Sequence, residues 1–203
     1  MVNAERTRRD VVVMGASAGG ISALRELFGE LPSDLAAAIA VVLHRSPVAE
    51  TSLAHVLAWR SPLPVIEAVD AMPFQRGTIY VAPRDQHLQV DGATLWLSRG
   101  PKEQHTRPAI DPLFRSAATS SGKRVVGVLL SGTGDDGVSG LIAVTAAGEV
   151  SLVQDPSEAA YPAMPRSAIL KDRVQGALPV ADLADVLIQL ARGDVVEMTS
   201  PTP

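Results

Sequence analysis

Three short stretches hold residues whose types and spacing could do chemistry. The first is Gly15-Ala16-Ser17-Ala18-Gly19, which follows the apolar run DVVVMG. G-x-S-x-G after a strand is the pattern of a nucleophile elbow, a sharp turn that lifts a serine hydroxyl out at a sheet edge. There the free N–H groups at a helix N-terminus can face a developing oxyanion. The plainer alternative is a Gly-rich turn whose serine caps the next helix.

A serine hydroxyl is a poor nucleophile until a base takes its proton. The chain has four histidines. His55 lies in a helical pattern, His87 in an alternating stretch and His105 in a loop. His44, in the second stretch VVLHRSP, ends a buried apolar run. It is the candidate base; capping or a loop-carbonyl bond is the alternative.

The third stretch is SGTGDDG, 131–137. Gly132, Gly134 and Gly137 spell G-x-G-x-x-G, and Asp155 follows where a dinucleotide fold places its ribose-binding acid. Yet Asp135 and Asp136 stand inside that cradle and would repel a pyrophosphate. An acid fits here when its partner is a cation, such as the imidazolium formed during acyl transfer. Helix N-capping is the alternative for both acids, and spacing does not choose between them. The order Ser…His…Asp differs from the Ser…Asp…His of α/β-hydrolases, so that fold is not implied. A dinucleotide-binding protein and a non-catalytic interaction module remain the alternatives to a serine hydrolase.

The elements that must position these residues alternate along the chain. Apolar runs at 10–15, 39–44, 124–131, 149–155 and 173–179 read as strands. Segments at 22–31, 49–59, 138–148 and 181–193 have helical period. This predicts an α/β fold: a doubly wound, mainly parallel sheet with helices on both faces. Residues 78–98 alternate with period two and turn at Asp91-Gly92, which predicts an antiparallel hairpin insertion. Residues 1–9 and 194–203 read as tails, the latter frayed, around one domain spanning 10–193. Ligand sites of open α/β sheets lie outside the carboxyl ends of the strands, where all three stretches fall.

Composition agrees. The 203 residues are 46% hydrophobic and only 3% aromatic, so the core is aliphatic, as in buried parallel sheets. A formal charge of -4 argues against a nucleic-acid surface. The lack of cysteine removes thiol nucleophiles and Cys-zinc sites, and suits a cytoplasmic location. No apolar run is long enough to span a bilayer, and the start has no secretory h-region.

GASAGG, VVLHRSP, TIYVAPRDQHL, RPAIDPLF, SGTGDDG and QDPSEAAYPAMPRSAI, in this order, resemble the catalytic domain of CheB-type protein-glutamate methylesterases. The likeness covers residues 10–192. It implies a doubly wound hydrolase, free of metal and organic cofactor, that removes methyl groups from glutamyl methyl esters on chemoreceptor helices. Many members also deamidate receptor glutamines. The family's serine, histidine and aspartate fall on Ser17, His44 and Asp136, and the choice of Asp136 over Asp135 comes from the family. Ala18 stands where relatives often have Thr, and Thr133 where they usually have Met. Both positions, with Gly134, adjoin the expected oxyanion site. Arg107, Pro108 and Asp111 are candidates to line the cleft, or else form a helix entry with an Arg–Asp contact. Met164, Pro165 and Arg166 are candidates for another edge. Asp111 is the reserve acid. Typical members also carry a receiver domain and linker; this chain begins on the esterase domain, as expected of a trimmed chain or of a stand-alone esterase.

Overall fold

The computed structural model describes residues 7–45 and 51–201. The first half runs β1 (Val11–Ala16), α1 (Gly20–Glu30), β2 (Ala38–Leu43), α2 (Leu53–Ala58), β3 (Val65–Glu67), β4 (Met72–Pro73), β5 (Thr78–Val81), β6 (His87–Asp91) and β7 (Thr94–Ser98). The second half runs α3 (Ile110–Ser121), β8 (Val125–Leu129), α4 (Val138–Ala146), β9 (Val150–Gln154), α5 (Ala163–Lys171), β10 (Gly176–Leu178) and α6 (Val180–Arg192). The predicted helix start at 49 and the end of VVLHRSP lie outside the described residues.

Among the described residues, seven strands form one parallel sheet in the order β10-β9-β8-β1-β2-β5-β3. The chain winds one way from β1 through β2 and β5, then returns to the other side of β1 through β8, β9 and β10. The sheet is therefore doubly wound about β1, with its switch point between β1 and β8.

The central strands are apolar throughout because both faces are covered. Val12, Met14 and Ala16 of β1 pack with Leu24, Leu27 and Phe28 of α1 and with Leu183 and Leu187 of α6. Val11 and Val13 face the other way, toward Leu113 and Phe114 of α3 and Leu141 and Val144 of α4. Leu24, Leu27 and Phe28 follow the i, i+3, i+4 stripe of a helix laid on a sheet. Each such buried side chain stabilises the fold by about 1.5–3 kcal/mol.

The antiparallel insertion is present but narrower than the predicted 78–98. The hairpin is β6–β7, turning after Asp91 with Asp91 paired to Thr94, and β4 adds a short third strand to it. Thr78–Val81 instead joins the parallel sheet between β2 and β3. Its alternation is that of a two-sided strand: Ile79 and Val81 enter one core, Tyr80 the other. At the far end, residues 194–201 have no regular structure, yet Val196 and Met198 pack against the core rather than fraying.

Candidate active site

The site lies at the carboxyl edge of the three central strands. Ala16 and Leu43 are the last paired residues of β1 and β2, so Ser17 and His44 leave the sheet side by side. The His44 N–H bonds to the Ala16 carbonyl at 3.0 Å. Ser17, Ala18, Gly19, Ile21, Leu43 and His44 line one cavity of about 450 Å³. Ser17 Oγ makes no hydrogen bond to His44 here. In unliganded sites such bonds are commonly long and tighten with substrate.

The turn after β1 needs small residues. Gly19 has φ 75°, and a Cβ there would lie 2.7 Å from Ser131 Oγ. No described residue accepts the N–H groups of Ala18 and Gly19, while the Gly20 N–H goes to the Ser17 carbonyl at 2.9 Å. Two donors with no acceptor among the described residues thus sit at the start of α1 beside the serine, on the cavity it lines. Ser131, buried at the end of β8, fixes this turn. Its carbonyl accepts the Ser17 N–H at 3.0 Å and its hydroxyl donates to the Ala18 carbonyl at 2.9 Å.

His44 Nε2 lies 2.6 Å from Asp136 Oδ2. Asp136 is 3% exposed and His44 14%. Asp136 also accepts the Ile110 N–H at 2.7 Å and the Asp111 N–H at 3.1 Å, both from the first turn of α3. Burial pushes its pKa up, but the bond from His44 and those two N–H groups outweigh burial and hold it below the usual aspartate value. An ionised Asp136 requires the proton of a neutral His44 to sit on Nε2. Nδ1 then keeps the lone pair. The start of α3 reaches this point because residue 15 is glycine; a Cβ at Gly15 would overlap Ile110 Cγ2.

Asp111 does something else. Its Oδ1 accepts the Gly137 N–H at 3.0 Å and the Gly140 N–H at 2.6 Å, at the start of α4. The two acids cap each other's helices: Asp136, just before α4, serves α3, and Asp111, in α3, serves α4. Burial first, with the nearby Asp136 charge adding to it, raises the Asp111 pKa above its ordinary value despite these bonds. The Arg–Asp contact weighed as the alternative for Arg107 and Asp111 is not formed. Arg107 pairs with Asp85 at 2.7 Å and donates to the Gly100 carbonyl at 2.8 Å.

Of the other predicted residues, Met164 is buried against Gly132, whose Cβ would touch both Met164 and Ser17 Cβ. Thr133, Gly134 and Asp135 are exposed on the loop, outside the serine cavity, and Asp135 pairs with Lys171. Arg107 and Pro108 line a separate small cavity that also touches His44. Thr106 was not among the predicted residues. Its Oγ1 lies 3.5 Å from both His44 Nε2 and Asp136 Oδ2, and it donates to the Glu103 carbonyl.

This geometry opposes the dinucleotide reading. A pyrophosphate at the start of α4 would need N–H groups already given to the buried Asp111 carboxylate. Asp155, the supposed ribose acid, closes an Asx turn onto the Ser157 N–H.

The comparisons with known proteins decide the family. Residues 12–187 match the family described as CheB methylesterase. The chain belongs to the CheB methylesterase family. It is 38% identical over 188 residues to a protein-glutamate methylesterase/protein-glutamine glutaminase of Rhizobium johnstonii, covering 90% of this chain and 51% of the relative. A namesake from Anaeromyxobacter dehalogenans is 40% identical over 189 residues, covering 93% and 55%. The chain thus spans about half the length of the curated relatives it matches. The crystal structure of the Thermotoga maritima CheB methylesterase catalytic domain superposes with TM-score 0.84 at 32% identity, over 89% of this chain and 98% of that one. The likeness therefore covers a whole catalytic domain, including the parallel sheet and the small antiparallel one.

Proposed function

We propose that the chain is a serine hydrolase that cleaves glutamyl methyl esters on chemoreceptor proteins, with Ser17 as nucleophile, His44 as base and Asp136 as orienting acid. The observation that carries this reading is the 2.6 Å His44–Asp136 bond beside Ser17, on the cavity that Ser17 and His44 share. The names of its relatives supply the protein-glutamate methyl ester, and the family resemblance supplies the chemoreceptor that carries it.

Ser17 Oγ attacks the ester carbonyl carbon, and His44 Nδ1 takes the hydroxyl proton. The Ala18 and Gly19 N–H groups stabilise the oxyanion. Collapse expels methanol, which receives the proton from His44. Water, deprotonated by His44, then attacks the acyl-enzyme, freeing the glutamate carboxylate and regenerating Ser17. Asp136 holds the tautomer and offsets the charge His44 gains at each step. The same route, with ammonia as leaving group, deamidates a glutamine, the second activity in the relatives' names.

Methanol release from methylated receptor membranes tests the proposal. Wild type releases methanol; Ser17→Ala and His44→Gln do not. Full activity in Ser17→Ala refutes the mechanism.

A further inference from the structure

His44 touches two cavities. The second, of about 110 Å³, is also lined by Arg45, Asp85, Lys102, Thr106 and Arg107. Arg45 lines both cavities. Its side chain is 9% exposed, and its Nη2 reaches Glu67 and the Ala82 carbonyl, each at 3.1 Å. Its Nε is buried with no acceptor among the described residues. A buried N–H without a partner is costly, and an entering oxygen would relieve that cost.

The surroundings are cationic. Arg99 and Lys102 are both exposed; Lys102 lines the cavity, and the Arg99 carbonyl accepts from Arg107 Nη1 at 3.2 Å. Arg45 and Arg107 are paired with Glu67 and Asp85, Asp136 with His44 and Glu103 with Arg115, so among the described residues Arg99 and Lys102 are the exposed cations left on this rim. This excess of positive charge stands on a chain of formal charge -4. Arg107 is bound to Asp85 and to the Arg99 and Gly100 carbonyls, so it builds the wall. Arg99 and Lys102 are placed to attract charge from solution.

We propose that this rim docks an acidic polypeptide segment: the carboxylates that flank the target glutamate on the substrate chain. The proposal rests on the esterase reading of Ser17. Hydrolysis of a glutamyl ester leaves a carboxylate, so a segment with several such sites is anionic once any of them has been processed. The rim then selects the chain, while the apolar cavity beside Ser17 takes the ester. Arg45 Nε donates to an oxygen of the bound segment, and Arg99 and Lys102 draw it in over a Debye length.

The test uses two helix-forming peptides with one glutamyl methyl ester each, flanked by Glu in one and by Gln in the other. Wild type favours the Glu-flanked peptide by about tenfold in kcat/KM at low salt, and 0.5 M NaCl removes most of the preference. Arg99→Glu with Lys102→Glu brings the ratio to about one or below; the ratio is internal to each variant, so a general loss of activity does not imitate it. Equal kcat/KM for the two peptides in wild type, or a preference kept by the double variant, overturns the proposal. If no ester is hydrolysed, the esterase reading fails and docking is judged alone, from fluorescence anisotropy of the labelled peptides on Ser17→Ala. Tighter, salt-sensitive binding of the acidic peptide then supports the rim, and equal binding overturns it.

Discussion

Two Gly-rich turns leave neighbouring strands of this sheet, one after β1 and one after β8, and each leads into a helix. Their glycine content is similar, and either would pass as a phosphate loop. They differ in where their N–H groups go. After β1, no described residue accepts the Ala18 and Gly19 N–H groups, which stand beside a serine. After β8, the Gly137 and Gly140 N–H groups are given to Asp111. A loop keeps its capacity to bind an anion only while its donors are unspent. On the proposed reading the first turn is therefore the reactive one. The second, exposed at Thr133–Asp135 but buried at Asp136, holds Asp136 against His44.

The largest expected effect falls on the first turn. Ser17→Ala lowers methanol release by at least about 10⁴-fold, since no other group supplies the nucleophile. The second turn is probed by its two acids. Asp136→Asn costs about 10³–10⁴-fold in kcat, because the amide no longer selects the His44 tautomer. Asp111→Asn keeps an oxygen toward the α4 N–H groups and lowers kcat by less than about tenfold. A dead Asp111→Asn beside an active Asp136→Asn would reverse the roles assigned to the two carboxylates.

A third carboxylate sharpens the contrast. Glu149 is fully buried and neither oxygen has a hydrogen-bond partner among the described residues. Burial pushes its pKa up to about 7, with Arg9 offsetting part of that rise. Its folded pKa exceeds the unfolded one, so stability is full below about pH 4.3 and is lost as pH rises toward 7. Asp136 has the opposite sign. Its lowered pKa adds stability above about pH 3.9, lost as pH falls through the folded value. Glu149→Met should raise unfolding stability at pH 8 by about 2–3 kcal/mol, with a gain that shrinks toward pH 4 in urea titrations. The smaller of the two stability effects is Asp111→Ala. It leaves the α4 donors unpaired and costs about 1–2 kcal/mol, read as a lower Tm.

The central strands and the three proposed catalytic residues were legible because a doubly buried parallel strand is an apolar run, and the residue after it lies at the site. Ser17 and His44 each follow such a run directly, whereas Asp136 was chosen over Asp135 from the family resemblance. What lay beyond the sequence depended on distant partners. The crossed caps join residues 111 and 137, and Ser131 joins 18, across gaps no local pattern encodes. Asp135 and Asp136 are adjacent and alike in type; only the approach of α3, through Gly15, separates a buried acid from an exposed one. The helices α3 and α5 were not set out because proline in the first turn of each, Pro112 and Pro165, obscures the period. Thr78–Val81 was joined to the hairpin because a four-residue buried strand and an alternating one look alike at that length.

The proposed reactive turn is tested most directly by covalent labelling. A serine-directed phosphonate is added to the intact chain, and the modified residue is located by peptide mass spectrometry. The account predicts rapid labelling of Ser17 alone, slowed by orders of magnitude in Asp136→Asn and little changed in Asp111→Asn. Labelling of another serine, or a Ser17 no more reactive than the chain's surface serines, would contradict it.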